Sequence, residues 1–381
     1  MKKILLFSRD PGGANTLIPL VKKLEKKYEV RLYGKDMALK RYNYFNLEGL
    51  DIENRVKEIN LAEIKNFLKN EKPDYIITGT SADDRTEKIL WEAAKKLNIK
   101  SLAIIDNWMN YGVRFSKYGV SEISKYEKSP EHEYQPDKIL VMDSYTKKEM
   151  EKIGFAKNKL IVSGQPYFDL LDNYQKKYTK NKVAKFKKEN EISLKDKLVT
   201  FASEPLEFVY KEAGKKNTYF GFTEKTIIKD LLGELRKIVS ENKKINLTLV
   251  LKLHPKENES EIMKLVESEK DLNFKIKILK DCNSWDLMMS SDLICGMSSM
   301  FLIESVILNR PVISIKIGLR KEDTFILSRR KILKTVLNKK QLKKKLEKAL
   351  ILKENPKYNF KVIKAASDNI IKFIDKSLCQ N

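Results

Sequence analysis

The chain is poor in the residues that build covalent staples and metal centres: its 381 residues include three cysteines and two histidines. Cys282, Cys295 and Cys379 are odd in number and lack paired metal spacing, which argues against a zinc site and predicts reduced thiols in the cytoplasm. No Asp-x-Asp pair or His/Cys cluster offers ligands for another metal, so none is expected. Nor does any apolar stretch approach the roughly 18 residues that a membrane-spanning helix needs. Met1-Lys2-Lys3 leads into an apolar run that ends at Arg9 and Asp10, too short for the core of a secretion signal. The expectation is a cytoplasmic protein, peripheral at most to the inner face of the plasma membrane.

Positive charge, by contrast, is abundant. With 76 Lys and Arg against 52 Asp and Glu, the formal net charge of +24 implies affinity for something anionic: nucleic acid, an acidic leaflet or a charged substrate. The charge is spread along the chain. Lys343-Lys344-Lys345 lies among Leu342, Leu346, Ala349 and Leu350 at helical spacing and reads as a solvated helix face. No zinc finger, RNA-binding aromatic run or helix-turn-helix pattern accompanies it, so no specific nucleic-acid partner is expected.

A chain of this length carries two ordinary domains, and 42% hydrophobic content suffices for two cores. Strand-like runs alternate with amphipathic helical runs, the pattern of doubly wound α/β sheets. In the first half the strand-like runs are 3–8, 29–34, 75–80, 101–105, 138–142 and 160–163; in the second they are 198–202, 247–253, 275–279, 293–295 and 312–315. The polar stretch 113–136 lacks periodicity and reads as a long functional or mobile loop. The expected division is a first Rossmann-like domain at 1–166, a lysine-rich linker helix at 167–190, and a second such domain with the terminal helices at 191–381, the two sheets facing across a cleft.

Three strand ends of the first half should share one rim of its sheet. The first is the glycine loop Ser8-Arg9-Asp10-Pro11-Gly12-Gly13-Ala14-Asn15, where Gly12 and Gly13 would let a ligand approach the backbone at a helix start. Its glycines are adjacent, so it is not a dinucleotide fingerprint. The second rim segment is Gly79 to Asp84 and the third is Asp106 to Tyr111, for which core packing of Trp108 and Tyr111 is the alternative.

Two segments of the second half carry the strongest signal. In 292–315 an apolar run stops at Gly296, Ser298 and Ser299 follow, and an apolar helical stretch carries Glu304 before Pro311 reopens a strand. A helix start offers unpaired N–H groups and partial positive charge, so Ser298 and Ser299 could cap it and still hold a phosphate. An unpaired Glu304 on such a helix would cost free energy, and ribose hydroxyls would satisfy it. In 247–255, His254 ends an apolar strand directly before Pro255, at the edge where open α/β sheets bind ligands.

Assembled, the chain resembles a GT-B glycosyltransferase, a fold of two Rossmann-like domains used in cell-envelope polysaccharide synthesis. Glu304 followed by Pro311, with Ser298 and Ser299 before it, is similar to the ribose and phosphate signature of nucleotide-sugar transferases. Lys252-Leu253-His254-Pro255 is similar to the His-Pro motif of CDP-glycerol glycerophosphotransferases and of bacterial sialyl- and capsule Kdo transferases, and Gly164-Gln165-Pro166-Tyr167-Phe168-Asp169 to the entry into their second domain. The resemblance implies a CMP- or CDP-linked donor with His254 on its phosphate, a glycan or lipid-linked glycan acceptor, and no cofactor beyond the activated sugar.

Displacement of that kind needs a base for the acceptor hydroxyl and donors for the departing phosphate. Asp10 is the first candidate base, with Asp106 and Asp84 behind it, and Ser203 and Glu204 should border the donor. Two alternatives remain open. The UDP-N-acetylglucosamine 2-epimerases share this architecture and are expected to carry further acid–base carboxylates; a nucleic-acid binder is suggested by charge alone.

Overall fold

The computed structural model describes residues 1–212, 219–269, 272–352, 354 and 356–379. The chain divides into two compact units, Met1–Leu170 with Val362–Asn381, and Leu171–Lys361. Each is a doubly wound parallel α/β sheet.

The first unit holds seven strands: β1 (Lys3–Ser8), β2 (Glu29–Gly34), β3 (Leu50–Asp51), β4 (Tyr75–Thr78), β5 (Lys100–Ile104), β6 (Lys138–Val141) and β7 (Leu160–Val162). They pair all-parallel in the order β3-β2-β1-β4-β5-β6-β7. Alternation along β1 explains how it sits in the middle. Ile4 and Leu6 pack with the helix Pro11–Leu24 on one face, while Leu5 and Phe7 pack with the helices Leu61–Glu71 and Thr86–Lys96 on the other.

The helix Ala366–Cys379 was grouped with the second half by the sequence reading, yet it completes the first unit. Ile370, Ile371, Ile374 and Leu378 enter the same cluster as Ile4, Leu6 and Leu17. Burying such side chains contributes about 1.5–3 kcal/mol each. Asp169 fixes the helix start, accepting from the N–H groups of Ala366 (3.1 Å) and Ser367 (2.8 Å). The Gly164–Asp169 segment therefore anchors this helix.

The second unit holds β8 (Lys197–Ala202), β9 (Leu247–Lys252), β10 (Lys275–Leu279), β11 (Leu293–Gly296) and β12 (Val312–Ser314), again all parallel, in the order β10-β9-β8-β11-β12. Its core joins β8, β9 and β11 to the helices Glu224–Glu241 and Lys339–Leu350. Leu342, Leu346 and Leu350 are buried there, so the lysine run beside them lines the outer face of a packed helix.

Two stretches differ from expectation. The segment 113–136 begins with a buried turn, Val113–Phe115, and includes the helix Ile123–Lys128. Its anchor is Phe115, stacked on Trp91 at 5.3 Å and edge-on to Phe155 at 5.1 Å. The lysine-rich linker is two helices, Pro166–Lys176 and Lys180–Glu189. Among the described residues no helix is long and apolar enough to cross a membrane.

Candidate functional site

Both sheets have a point where successive crossovers run in opposite directions: β1 lies between β2 and β4, and β8 between β9 and β11. In open α/β sheets such a point marks the crevice, outside the carboxyl ends of the strands, where ligands bind.

In the first unit the three expected rim segments meet. A Cβ built on Gly12 would lie 2.0 Å from Asp106 Oδ2, and one on Gly79 would lie 2.6 Å from Gly13 Cα. The room at Gly12 and Gly13 is thus taken by Asp106 and by the loop after β4. Asp106 is held by Arg114, whose Nη1 lies 2.5 Å from Oδ1 and also donates to the carbonyl and hydroxyl of Thr80 at 2.8 Å each. Trp108 and Tyr111 are buried, as the core-packing alternative expects, with Trp108 stacked on Phe168 at 5.9 Å.

Asp10 stands at the N-cap position of the helix Pro11–Leu24 without a side-chain capping bond. Its Oδ1 instead accepts from Arg9 Nη1 at 2.7 Å, and Arg9 Nε reaches Asp36 at 3.1 Å. Near it lie two carboxyls whose surroundings push their pKa values in opposite directions. Burial opposes ionisation of Asp84, but bonds from Thr86 and Lys35 hold it below the ordinary carboxylate range. Glu87, in the first turn of the helix Thr86–Lys96, is only 1% exposed. Burial, then the charges of Asp84 and Asp10, push its carboxyl up to about 8. Glu87 was not singled out in the sequence, because a Glu in a helix's first turn ordinarily faces solvent.

In the second unit the ends of β8, β9, β11 and β12 converge. Ser203 Oγ donates to Glu257 Oε1 at 2.6 Å, and Glu257 Oε2 accepts the backbone N–H of His254 at 2.6 Å. Pro255 is exposed, in the turn closed by Glu257 N–H to His254 O at 2.9 Å. His254 Nδ1 accepts from Lys256 N–H at 3.2 Å, which places the ring proton on Nε2. Burial, then Lys256 and Lys252, lower the imidazole's pKa, so His254 is a neutral N–H donor.

Ser299 is the N-cap of the helix Met300–Ile307, but its hydroxyl makes no capping bond and, among the described residues, has no hydrogen-bond partner. The backbone N–H of Ser298 donates to Glu204, whose carboxylate also interacts with the N–H groups of Ser299 and Met297. The helix start thus already holds a protein carboxylate. Burial raises the Glu204 pKa, opposed by those N–H groups and by Lys316. Lys316, at the end of β12, is buried and paired with Asp323, which also accepts from Thr335 Oγ1 at 2.6 Å. Glu304 is buried on the same helix. Gly296 is required for close approach: its Cβ would lie 2.8 Å from Ala202 O. Glu257 and Lys316 are the members of this rim that sequence reading missed; an acidic residue three places after His254 was the available signal.

No protein-family model matches the chain, and no curated protein sequence does. Solved structures do. UDP-GlcNAc 2-epimerase from Methanocaldococcus jannaschii matches with a TM-score of 0.68 at 19% identity, over 99% of this chain and 100% of that one. UDP-GlcNAc 2-epimerase from Neisseria meningitidis bound to UDP-GlcNAc gives 0.67 at 16%, over 99% and 100%. A glycosyltransferase from Rickettsia africae gives 0.61 at 16%, over 100% and 99%. The likeness does not reach the His-Pro transferase families in particular; it is one of fold, and the chain has the GT-B-type fold of two parallel α/β domains.

Proposed function

We propose that the protein acts on a nucleotide-linked sugar as an isomerase or hydrolase of the UDP-N-acetylglucosamine 2-epimerase kind, with UDP as its nucleotide in place of the CMP or CDP implied by the His-Pro resemblance. The observation that carries this reading is the carboxyl cluster at the β1/β4 crevice, where Asp10, Asp84 and Asp106 stand on the loops after the adjacent strands β1, β4 and β5 and Asp106 packs against Gly12 of the Asp10 loop. Inverting a carbon that bears hydrogen needs one group to accept a proton and another to return one, whereas transfer to an acceptor hydroxyl needs a single base. Asp10, Asp84 and Asp106, carboxyls on neighbouring strand-end loops, supply such a pair. Solved structures of this fold whose names specify UDP-GlcNAc add support for the nucleotide.

In this reading Asp10 is the base of the first unit, with Asp106 and Asp84 behind it. The second unit takes the nucleotide: His254 Nε2–H and the hydroxyls of Ser298 and Ser299 face phosphate, and Glu304 takes the ribose. The transferase reading keeps the same residues and is favoured by the His254-Pro255 pair and by the likeness to the Rickettsia africae glycosyltransferase. Product analysis after incubation with UDP-GlcNAc alone separates the two. An epimer or free sugar without acceptor supports the first, and turnover only with a glycan acceptor overturns it.

A further inference from the structure

Glu87, in the first unit's crevice, is a buried carboxyl whose two oxygens are treated unequally. Oε1 accepts the backbone N–H of Arg9 at 3.2 Å, while Oε2, equally buried, has no hydrogen-bond partner among the described residues. A buried oxygen without a partner is tolerable on a neutral acid and expensive on an anion.

The groups around it are set against a charge. Asp10 faces Glu87 from the loop after β1, and Asp84 from the loop before its own helix. Tyr42, on the helix Met37–Tyr44, also faces it, and its hydroxyl is bonded to Ser8 Oγ at 2.5 Å. Of the nearby cations, the Arg9 side chain is bound to Asp10 and Asp36, and Lys35 to Asp84 and Glu53. Lys88, next in the helix, also senses Glu87, but its Nζ donates to the carbonyls of Val113 and Tyr118. Each of these cations already has acceptors of its own.

We propose that Glu87 is a positioning residue: as an uncharged acid it clamps the Arg9–Asp10 loop through the Arg9 N–H, and it releases that loop when it ionises. The clamp fixes the backbone one residue before Asp10, so it sets where the Asp10 carboxylate stands. The catalytic consequence rests on the assignment of Asp10 as base, while the clamp itself does not. Ionised, Glu87 would be a carboxylate with an unpartnered oxygen facing two others, and it must reach water by moving away from Arg9.

Glu87→Gln separates charge from contact, because the amide keeps an oxygen for the Arg9 N–H and never ionises. Unfolded, Glu87 loses its proton near the ordinary value of 4.5; folded, it keeps it up to about 8. The folded state binds the extra proton in that window, so wild-type stability falls as pH rises from about 4.5 to about 8 and levels off above it. Thermal melts from pH 4.5 to 9 should show wild type losing several degrees relative to Glu87→Gln across that interval. Parallel melting curves would overturn the clamp.

In kcat, wild type should decline above about pH 8 while Glu87→Gln keeps wild-type turnover at pH 7 and loses the decline. Glu87→Ala, which removes the contact, should be slow at every pH. A Glu87→Gln protein that is inactive at pH 7, or that keeps the alkaline decline, contradicts the proposal. Melts that diverge as expected in a protein without turnover on any nucleotide sugar support the clamp and overturn the functional reading.

Discussion

The carboxylate of Glu204 accepts the backbone N–H of Ser298 at the start of the helix Met300–Ile307. Glu204 leaves β8 and Ser298 leaves β11, the two strands on either side of the second sheet's crevice. An anionic ligand at that helix start competes with this carboxyl for the N–H groups, which together with Lys316 favour its charged form against burial.

Neutralising this carboxyl should therefore help a phosphate. Glu204→Gln keeps an acceptor for the Ser298 N–H and removes the negative charge, so UDP affinity measured calorimetrically at pH 7.5 should rise by about 1 kcal/mol, roughly fivefold. Weaker binding by the variant would mean that Glu204 itself contacts the nucleotide.

Glu304 and His254 should behave in the opposite direction. Glu304→Ala should weaken nucleotide binding by about 1–3 kcal/mol, the range for a charge-assisted bond. His254→Ala should cost a similar amount through loss of the Nε2–H donor. Because burial and the neighbouring lysines lower the His254 pKa, its share of the affinity should be unchanged between pH 7 and 8 when wild type and His254→Ala are titrated in parallel. A wild-type advantage that grows below pH 6.5 would instead assign the role to the imidazolium.

Asp10→Asn preserves size and the contact with Arg9 while removing the basic oxygen. Turnover should fall on the order of 100-fold or more with nucleotide affinity nearly unchanged. A loss below about fivefold, or a parallel collapse of binding, would move the assignment to Asp106.

The glycines of the first crevice make a stability prediction. A methyl on Gly79 meets the Gly13 backbone at 2.6 Å, where no side chain can yield, so Gly79→Ala should destabilise the first unit by about 1–3 kcal/mol in denaturant unfolding. Gly12→Ala meets only the Asp106 side chain and should displace that carboxylate at lower cost to stability. The reverse ranking would contradict this packing.

The alternation of apolar strands and amphipathic helices was legible because both sheets are parallel and covered on both faces, which makes runs such as Tyr75–Thr78 and Lys197–Ala202 nearly continuous in apolar character. The two-residue β3 was not, since Leu50–Asp51 is too short to carry a period. The spacing of Ile370, Ile371, Ile374 and Leu378 puts them on one helical face, but it carries no information about which sheet that face covers. At the second crevice the residue types of Ser203, His254 and Ser298 were readable from strand ends. Glu204 was readable in the same way, but its bond to the helix start, like the tie that Glu257 makes between Ser203 and His254, depends on contacts between loops far apart in sequence. Arg114 was hidden because the stretch around it has no period, although its guanidinium organises Thr80 and Asp106.

The central claim is that the carboxyls of the first unit move a proton on and off the sugar. Incubation with UDP-GlcNAc in deuterated water without acceptor, followed by NMR, tests it most directly. The account predicts deuterium at C2 of the 2-epimer or of the released sugar, and its absence in Asp10→Asn. Unlabelled, unchanged UDP-GlcNAc that is consumed only when a glycan acceptor is added would contradict it.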